Sequence, residues 1–297
     1  MEGTEEVCPA TTQVSDFVAV TDDDGTAGAT IWWALSGTLH HQSVIDEWEA
    51  ANLPPEWAPN PPAKGAALKR ALMTMATRRT LVRPLGKRGA YALVVESVQD
   101  LEIDHETTFK VTLEEGEETW EIKVSPENEP LLQRIETEFY YYLQAMDTTD
   151  VSWWLTGLAK QLQAVSLRPR GGIYFLPRTK LELWRRIVGI IRKVSPSVEV
   201  FEMPTLSCDE AVRAVLSALT KEAEEAISGY EEDLIEEDLG ARALGNRVEK
   251  CKEMQQKLKT YEILLGGSMG TIAERLVELE GQLAAASLLA MSTGEEE

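Results

Sequence analysis

The stretch Lys64–Val98, KGAALKRALMTMATRRTLVRPLGKRGAYALVVESV, changes its apolar period halfway along, and that change decides the fold. Up to Ala76 the residues Ala67, Leu68, Ala71, Leu72 and Met75 recur at three- and four-residue steps, which predicts a helix over 66–76 with Lys69 and Arg70 turned outward. From Thr80 apolar and polar residues alternate around Gly86–Gly89, the two-residue period of antiparallel strands. FKVTLEEGEETWEIKV, Phe109–Val124, repeats that alternation around a turn at Glu114–Glu117, so a four-stranded antiparallel meander follows the helix. The same stretch holds a positive island. Lys64, Lys69, Arg70, Arg78, Arg79, Arg83, Lys87 and Arg88 fall in a gap with no carboxylate between Glu56 and Glu96, in a chain of formal net charge -21.

Outward from the meander, Ser43–Asn52 reads as a short helix with Ile45, Trp48 and Ala51 on one face, and the proline-rich LPPEWAPNPPAKG ends it. SDFVAVTDDDGTAGATIWWALSG reads as a hairpin turning at Asp22–Gly25; three aspartates without the spaced ligands and closing Glu of an EF-hand make a turn, not a calcium loop. On the C-terminal side, Glu127–Met146 and Asp150–Ser166 read as helices and GGIYFLP as a buried strand. Lys180–Lys193 is a helix with Leu181, Trp184, Ile187, Val188 and Ile191 inward, and VEVFEMP is a strand parallel to GGIYFLP in one sheet. From Leu206 the pattern is long helix, opened by Ser207 and Glu210 as a capping box. Val212, Leu216, Leu219, Ala223, Ala226, Tyr230 and Leu234 form a coiled-coil seam, interrupted at Gly240 and Gly245 and resumed by Val248, Cys251, Met254, Leu258 and Tyr261. GGSMG turns the chain into a last helix carrying Ile272, Leu276, Leu279 and Leu283. The seam pairs either within one chain, as an antiparallel hairpin, or between chains, which makes the protein a homo-oligomer.

The expected organisation is α+β: a disordered stretch over 1–14, an α+β region over 15–126 with a winged-helix-like basic helix and hairpin, an α/β unit over 127–205, a helical coiled-coil extension over 206–292 and an acidic tail. A chain of 297 residues with 43% apolar content can bury a real core. The N-terminus lacks a signal-peptide pattern and no apolar run spans a bilayer, so the reading is a soluble, cytoplasmic protein that does not bind membranes. Cys8, Cys208 and Cys251 are an odd set without CxxC spacing, which points to neither a disulfide framework nor zinc.

No catalytic constellation converges and no cofactor is expected. His40 and His41 near Asp46 and Glu47 match no zinc pattern, and with His105 as the one other histidine there is no nucleophile–His context. SLRPRGGIYFLPRTK carries Arg168, Arg170, Arg178 and Lys180 around a glycine pair; lacking a Walker spacing, it reads as a tight turn into a buried strand ahead of an anion site. Trp32–Trp33 and Trp153–Trp154 read as core anchors, an exposed member being a partner hot spot.

WWALSG, ALKRALM after a proline-rich link, LVRPL, ALVVES and above all SLRPRGGIYFLP resemble a family of uncharacterised proteins of phages, actinobacteria and haloarchaea, over residues 15 to 235. The resemblance implies an architecture and a phage or prokaryotic setting, host cytoplasm included, and no reaction. The second half of the coiled coil is expected to lie outside it.

Three function classes follow. The first is a non-enzymatic interaction or scaffold protein that self-associates or recruits a protein through the C-terminal helices, along Val212, Leu216, Leu219, Tyr230, Leu234, Leu258, Leu276 and Leu279. The second is a nucleic-acid binder using Lys69, Arg70, Arg78, Arg79, Arg83, Lys87 and Arg88, where four phosphate contacts give a salt slope of roughly -3.6. Against it stands the pairing of the island with the rest of the chain, at -29 once the island's +8 is set apart from -21. The third is an acidic DNA-mimic decoy, which leaves the basic clusters unexplained.

Overall fold

The computed structural model describes residues 25–99, 102–115, 120–168, 172–235, 239–266 and 269–293. In chain order its elements are β1 (Thr26–Leu35), β2 (Leu39–His40), α1 (His41–Ala50), α2 (Lys64–Met73), β3 (Thr80–Pro84), β4 (Ala90–Gln99), β5 (Glu102–Glu115), β6 (Trp120–Ser125), α3 (Glu129–Gln144), β7 (Ala145–Met146) and α4 (Thr148–Gln161). Then come β8 (Val165–Ser166), β9 (Ile173–Pro177), α5 (Arg178–Val194), β10 (Val198–Leu206), α6 (Asp209–Ile235), α7 (Ala241–Leu265) and α8 (Gly270–Thr293). The fold is α+β with antiparallel sheets. The chain divides into two compact units, one formed by Ala34–Leu155 with Ile187–Glu199, the other by the chain up to Trp33, Thr156–Arg186 and Val200 onward.

In the first of these, the meander unit, β3-β4-β5-β6 pair in sequence order, all antiparallel, with β3 at one edge. Side-chain alternation sorts the sheet into two faces. Leu93, Val111, Leu113, Ile122 and Val124 point to the inner face, where α2 lays Ala67, Leu68, Ala71 and Leu72 on them and α3 adds Ile135 and Phe139. Full burial of each such leucine or phenylalanine is worth about 2 kcal/mol, so this layer alone outweighs any local propensity. The helix therefore backs a four-stranded sheet and does not stand beside a free two-stranded wing. In α1, Val44 and Trp48 are the buried pair, and Ile45 is only half-buried, because the helix starts at His41, whose preceding His40 ring accepts from the Ser43 amide.

In the other, helical unit, the strand order is β10-β1-β9-β8. β1 runs antiparallel to β9, with Gly28 opposite Pro177 and Trp32 opposite Ile173. Backbone bonds from Ser207 to Gly25 and, at the far end, from Ser36 to Ser197 set β10 antiparallel to β1 as well. The strands β9 and β10 are therefore parallel in one sheet, as their spacing predicts, but with β1 inserted between them. Gly28 is required there: a Cβ would sit 2.1 Å from the Leu176 carbonyl oxygen. The upstream arm of the expected Asp22–Gly25 hairpin and the Gly116–Glu117 part of the β5–β6 turn lie outside the described residues.

Helices α6, α7 and α8 enclose one apolar cluster with Val165 and Phe175. Hydrogen bonds from Gln255 to Glu280 and from Ser287 to the Ala241 carbonyl make α7 and α8 antiparallel neighbours. On α6 the buried line is Val215, Leu219, Ala223 and Ile227, four residues apart, whereas Val212, Leu216, Tyr230 and Leu234 are half-buried beside it. The shift has a physical cause. A helix that meets two helices and a strand buries a wide stripe centred between the contacts, not the narrow seam of a two-stranded coil. The helix begins at Asp209 with the Val212 amide on the Cys208 carbonyl, and Glu210 pairs with Arg213, so the expected Ser207–Glu210 capping box does not form. Gly240 lies outside both helices as the cap of α7, and Gly266, at φ +67°, ends that helix.

Candidate nucleic-acid interface

The outer face of the meander is built from the alternate residues of the strands that form the core. Register places Arg83 opposite Ala92 and Ala92 opposite Lys110, one row across β3, β4 and β5. The next row holds Ala90, Thr112 and Lys123. Ala90 and Ala92 between these side chains are buried, and the row beyond sets Glu114 opposite Glu121. Arg78 and Arg79 precede the edge strand and Lys87 and Arg88 occupy the β3–β4 turn, all of them exposed.

The island divides into cations that the chain neutralises and cations that it does not. Arg70 is in the first group. Its guanidinium reaches Asp147 at 2.7 Å and Asp150 at 2.8 Å. Those carboxylates also cap α4, Asp147 accepting from the Thr149 and Asp150 amides while Asp150 accepts from the Asp147 amide. Partial burial alone would pull the Arg70 pKa down; the two aspartates outweigh it and raise the pKa. Arg70 is thus a clamp between α2 and the start of α4 and is not available to a phosphate, which corrects the reading of it as an outward contact. Lys64 lies over the Trp120 ring at 4.5 Å. Lys87 approaches Glu114 at 3.5 Å, and Lys123 holds the same carboxylate at 2.8 Å. That hydrogen bond, then its charge and that of Lys87, lower the Glu114 pKa.

Arg78, Arg79, Arg83, Arg88, Lys69 and Lys110 have no ion pair among the described residues. Lys69 stands apart. It lines a groove of about 600 Å³ with Arg70, Met73, Tyr142 and Thr149 on the helix side of the layer, whereas Arg83 and Lys110 lie on the opposite face of the sheet. Helix and ribbon consequently do not present to one groove together, and the helix-plus-wing expectation gives way to a sheet face. Lys110 was not singled out by the sequence because it precedes an acidic run; strand register, had it been applied to FKVTLEE, aligns it with Arg83.

The remaining candidates are placed as follows. Arg168 is exposed on the β8–β9 loop, Arg178 is exposed at the start of α5, and Arg170 lies outside the described residues. At the base of that loop the Leu167 amide donates to the Ile173 carbonyl, and a Cβ on Gly172 would meet the Trp33 ring at 3.4 Å; the expected turn at 169–171 lies outside the described residues. Leu219, Leu258, Leu276 and Leu279 of the proposed oligomer seam are buried in their own chain. His41 Nε2 donates to the Pro59 carbonyl while His40 serves Ser43, so the two rings serve different partners. Among the described residues no group of three His, Cys, Asp or Glu is placed to hold a metal ion, and no helix is long and apolar enough to cross a membrane. Trp32 stacks on Phe201 and Trp33 on Tyr174, and Trp154 donates to the Trp57 carbonyl. Trp153 is 75% exposed.

The chain belongs to a family of unknown function, DUF6744, whose model matches residues 27–294. The match runs on through α7 and α8, further than the resemblance over 15 to 235 read from the sequence. No curated protein and no solved structure matches.

Proposed function

We propose that this chain is a non-enzymatic nucleic-acid-binding protein of a phage or prokaryotic cytoplasm, whose meander presents its outer face to the phosphate backbone. The observation that carries the reading is the set Arg83 and Lys110 on one sheet face, Arg78 and Arg79 just before its edge strand and Arg88 in the β3–β4 turn: exposed and without an ion pair among the described residues, in a chain with 50 acidic residues. Among the described residues, an intrachain role for the island is supported at Arg70, Lys64 and Lys87. The far field of the chain repels phosphate, but screening confines that field to about 8 Å at physiological salt, so nearby cations govern a bound strand. An arginine fork matches a phosphate, and these arginines are exposed.

The test is fluorescence anisotropy of labelled duplex and single-stranded DNA and of RNA at low salt. The native chain is expected to bind, and R79A/R83A/R88A/K110A to lose at least a hundredfold in affinity while its circular dichroism is unchanged. Equal binding by the variant, or none by the native chain, would overturn the proposal.

A further inference from the structure

Lys69 lies in the groove of about 600 Å³ that α2 forms with the end of α3 and the start of α4. The Arg70 clamp sets its walls, since α2 and the first turn of α4 cannot part without breaking the ion pairs to Asp147 and Asp150. Within the clamp both carboxylates are spent, on the guanidinium and on the amides of Asp147, Thr149 and Asp150. Lys69 is exposed and has no ion pair among the described residues, and the Tyr142 and Thr149 hydroxyls make no hydrogen bond among them. Met73, which also lines the groove, is 52% exposed. Aromatic rings that the core leaves uncovered stand beside it. Tyr141 is 54% exposed and packs edge-on against Tyr142, ring centroids 5.1 Å apart. Trp153, 75% exposed, follows Thr149 by one turn of α4. Helical side chains lean toward the helix N-terminus, which carries the Trp153 ring over the turn that holds Thr149.

We infer that this groove binds a small anion carried on a planar ring, an aryl phosphate of about mononucleotide size. Charge, shape and length select that chemistry. Lys69 is the cation left over once the clamp is neutralised, so the head group is anionic, and the Tyr142 and Thr149 hydroxyls are free to donate to it. A flat ring suits the rest. Exposed tryptophan and tyrosine faces stack on planar ligands, and the Met73 thioether makes favourable contacts at a ring edge. An apolar lining with a few convergent polar groups is the usual make-up of a small-molecule site. Length excludes a larger occupant: from Ala66 to Thr74 α2 rises roughly 12 Å at 1.5 Å per residue, shorter than the three to four turns of an ordinary helix. The site lies on the helix side of the layer, away from Arg83 and Lys110, and is independent of the nucleic-acid reading.

The test is calorimetric titration of the full chain with adenosine monophosphate, phenyl phosphate, adenosine and inorganic phosphate. The two aryl phosphates are expected to bind saturably, and adenosine and inorganic phosphate at least tenfold more weakly, because each lacks one half of the ligand. K69M should weaken adenosine monophosphate at least tenfold and leave the affinity for adenosine unchanged. W153A should weaken adenosine monophosphate at least fivefold, the scale of one lost stacking contact. Both substitutions fall at exposed positions, so circular dichroism should stay native. In the methyl spectrum of labelled methionines, adenosine monophosphate should move the Met73 signal and leave that of Met291, exposed on α8, in place. Four results would each overturn the inference: no binding of either aryl phosphate, inorganic phosphate binding as tightly as phenyl phosphate, native affinity in K69M and W153A, or binding abolished by R83A/K110A, which would place the ligand on the outer sheet face.

Discussion

The two units differ in where their unpaired cations lie. In the helical unit Arg247 reaches Asp233 at 2.6 Å, Lys252 reaches Glu249 at 2.8 Å, Arg275 reaches Glu231 at 3.0 Å, and buried Lys257 pairs with Glu222 at 2.6 Å while donating to the Ala164 carbonyl. In the meander unit the outer face leaves Arg79, Arg83, Arg88 and Lys110 unpaired among the described residues. Acidic side chains are plentiful in both. Unpaired cations are not confined to the meander, since Lys221, Arg242, Lys250 and Lys259 of the helical unit also have no ion pair among the described residues; what sets the meander apart is that Arg83 and Lys110 share one row of strands, and Arg70 shows that it too pairs a cation that ties two elements together.

The contrast can be broken most forcefully at Lys257. Removing its partner leaves a buried ammonium, and E222Q is expected to lower stability by about 2–3 kcal/mol in urea unfolding; K257M, which leaves the Ala164 carbonyl and the Glu222 carboxylate without their donor, should cost about 1–2 kcal/mol. If both variants are equally harmless, the pair is not structural. Next, R70A should cost about 1–2 kcal/mol and R79A less than about 0.5 kcal/mol, since the first loses charge-assisted bonds to two helix-capping carboxylates and the second loses none. Equal thermal shifts for the two would erase the distinction drawn within the island.

Two smaller effects sharpen it. K69A, on the helix side of the sheet, should leave nucleic-acid affinity within about twofold of the native value, and a loss like that of R83A would return the helix to the binding surface. Thiol chemistry should separate the cysteines: Cys208 is exposed, whereas Cys251 is buried and desolvation, with a smaller push from Glu280, raises its pKa to about 11. At pH 8 a maleimide should label Cys208 and spare Cys251 until the chain unfolds. Because the folded pKa of Cys251 lies above its ordinary value, its contribution to stability is complete below about pH 9 and is lost as pH rises toward 11. C251A should flatten that part of the pH–stability curve.

What the sequence made legible followed periodicity. The face of α2 from Ala67 to Met75, the meander and the inward set of α5 all emerged from apolar spacing, because each element meets its core on a single side. Partners distant in sequence did not. Arg70 looked outward on its own helix; the carboxylates that claim it are almost eighty residues on, and only DTTD at 147–150, a reciprocal cap, hinted at their role. Nor could spacing reveal that β1 would separate β9 from β10, or which of several apolar lines a helix buries. On α8 nearly every residue from Leu283 to Met291 is apolar, so the buried and exposed seams look alike until neighbours are in place. The outer-face row of Arg83, Ala92 and Lys110 depended on strand register, which alternation alone leaves open.

The central claim is that the outer face of the meander grips phosphates, and the slope of log affinity against log salt counts them. For the five unpaired cations a slope near -4.5 on duplex DNA is expected, falling in magnitude by about 3.6 in R79A/R83A/R88A/K110A. A native slope near zero, or one that the four substitutions leave unchanged, would contradict the account.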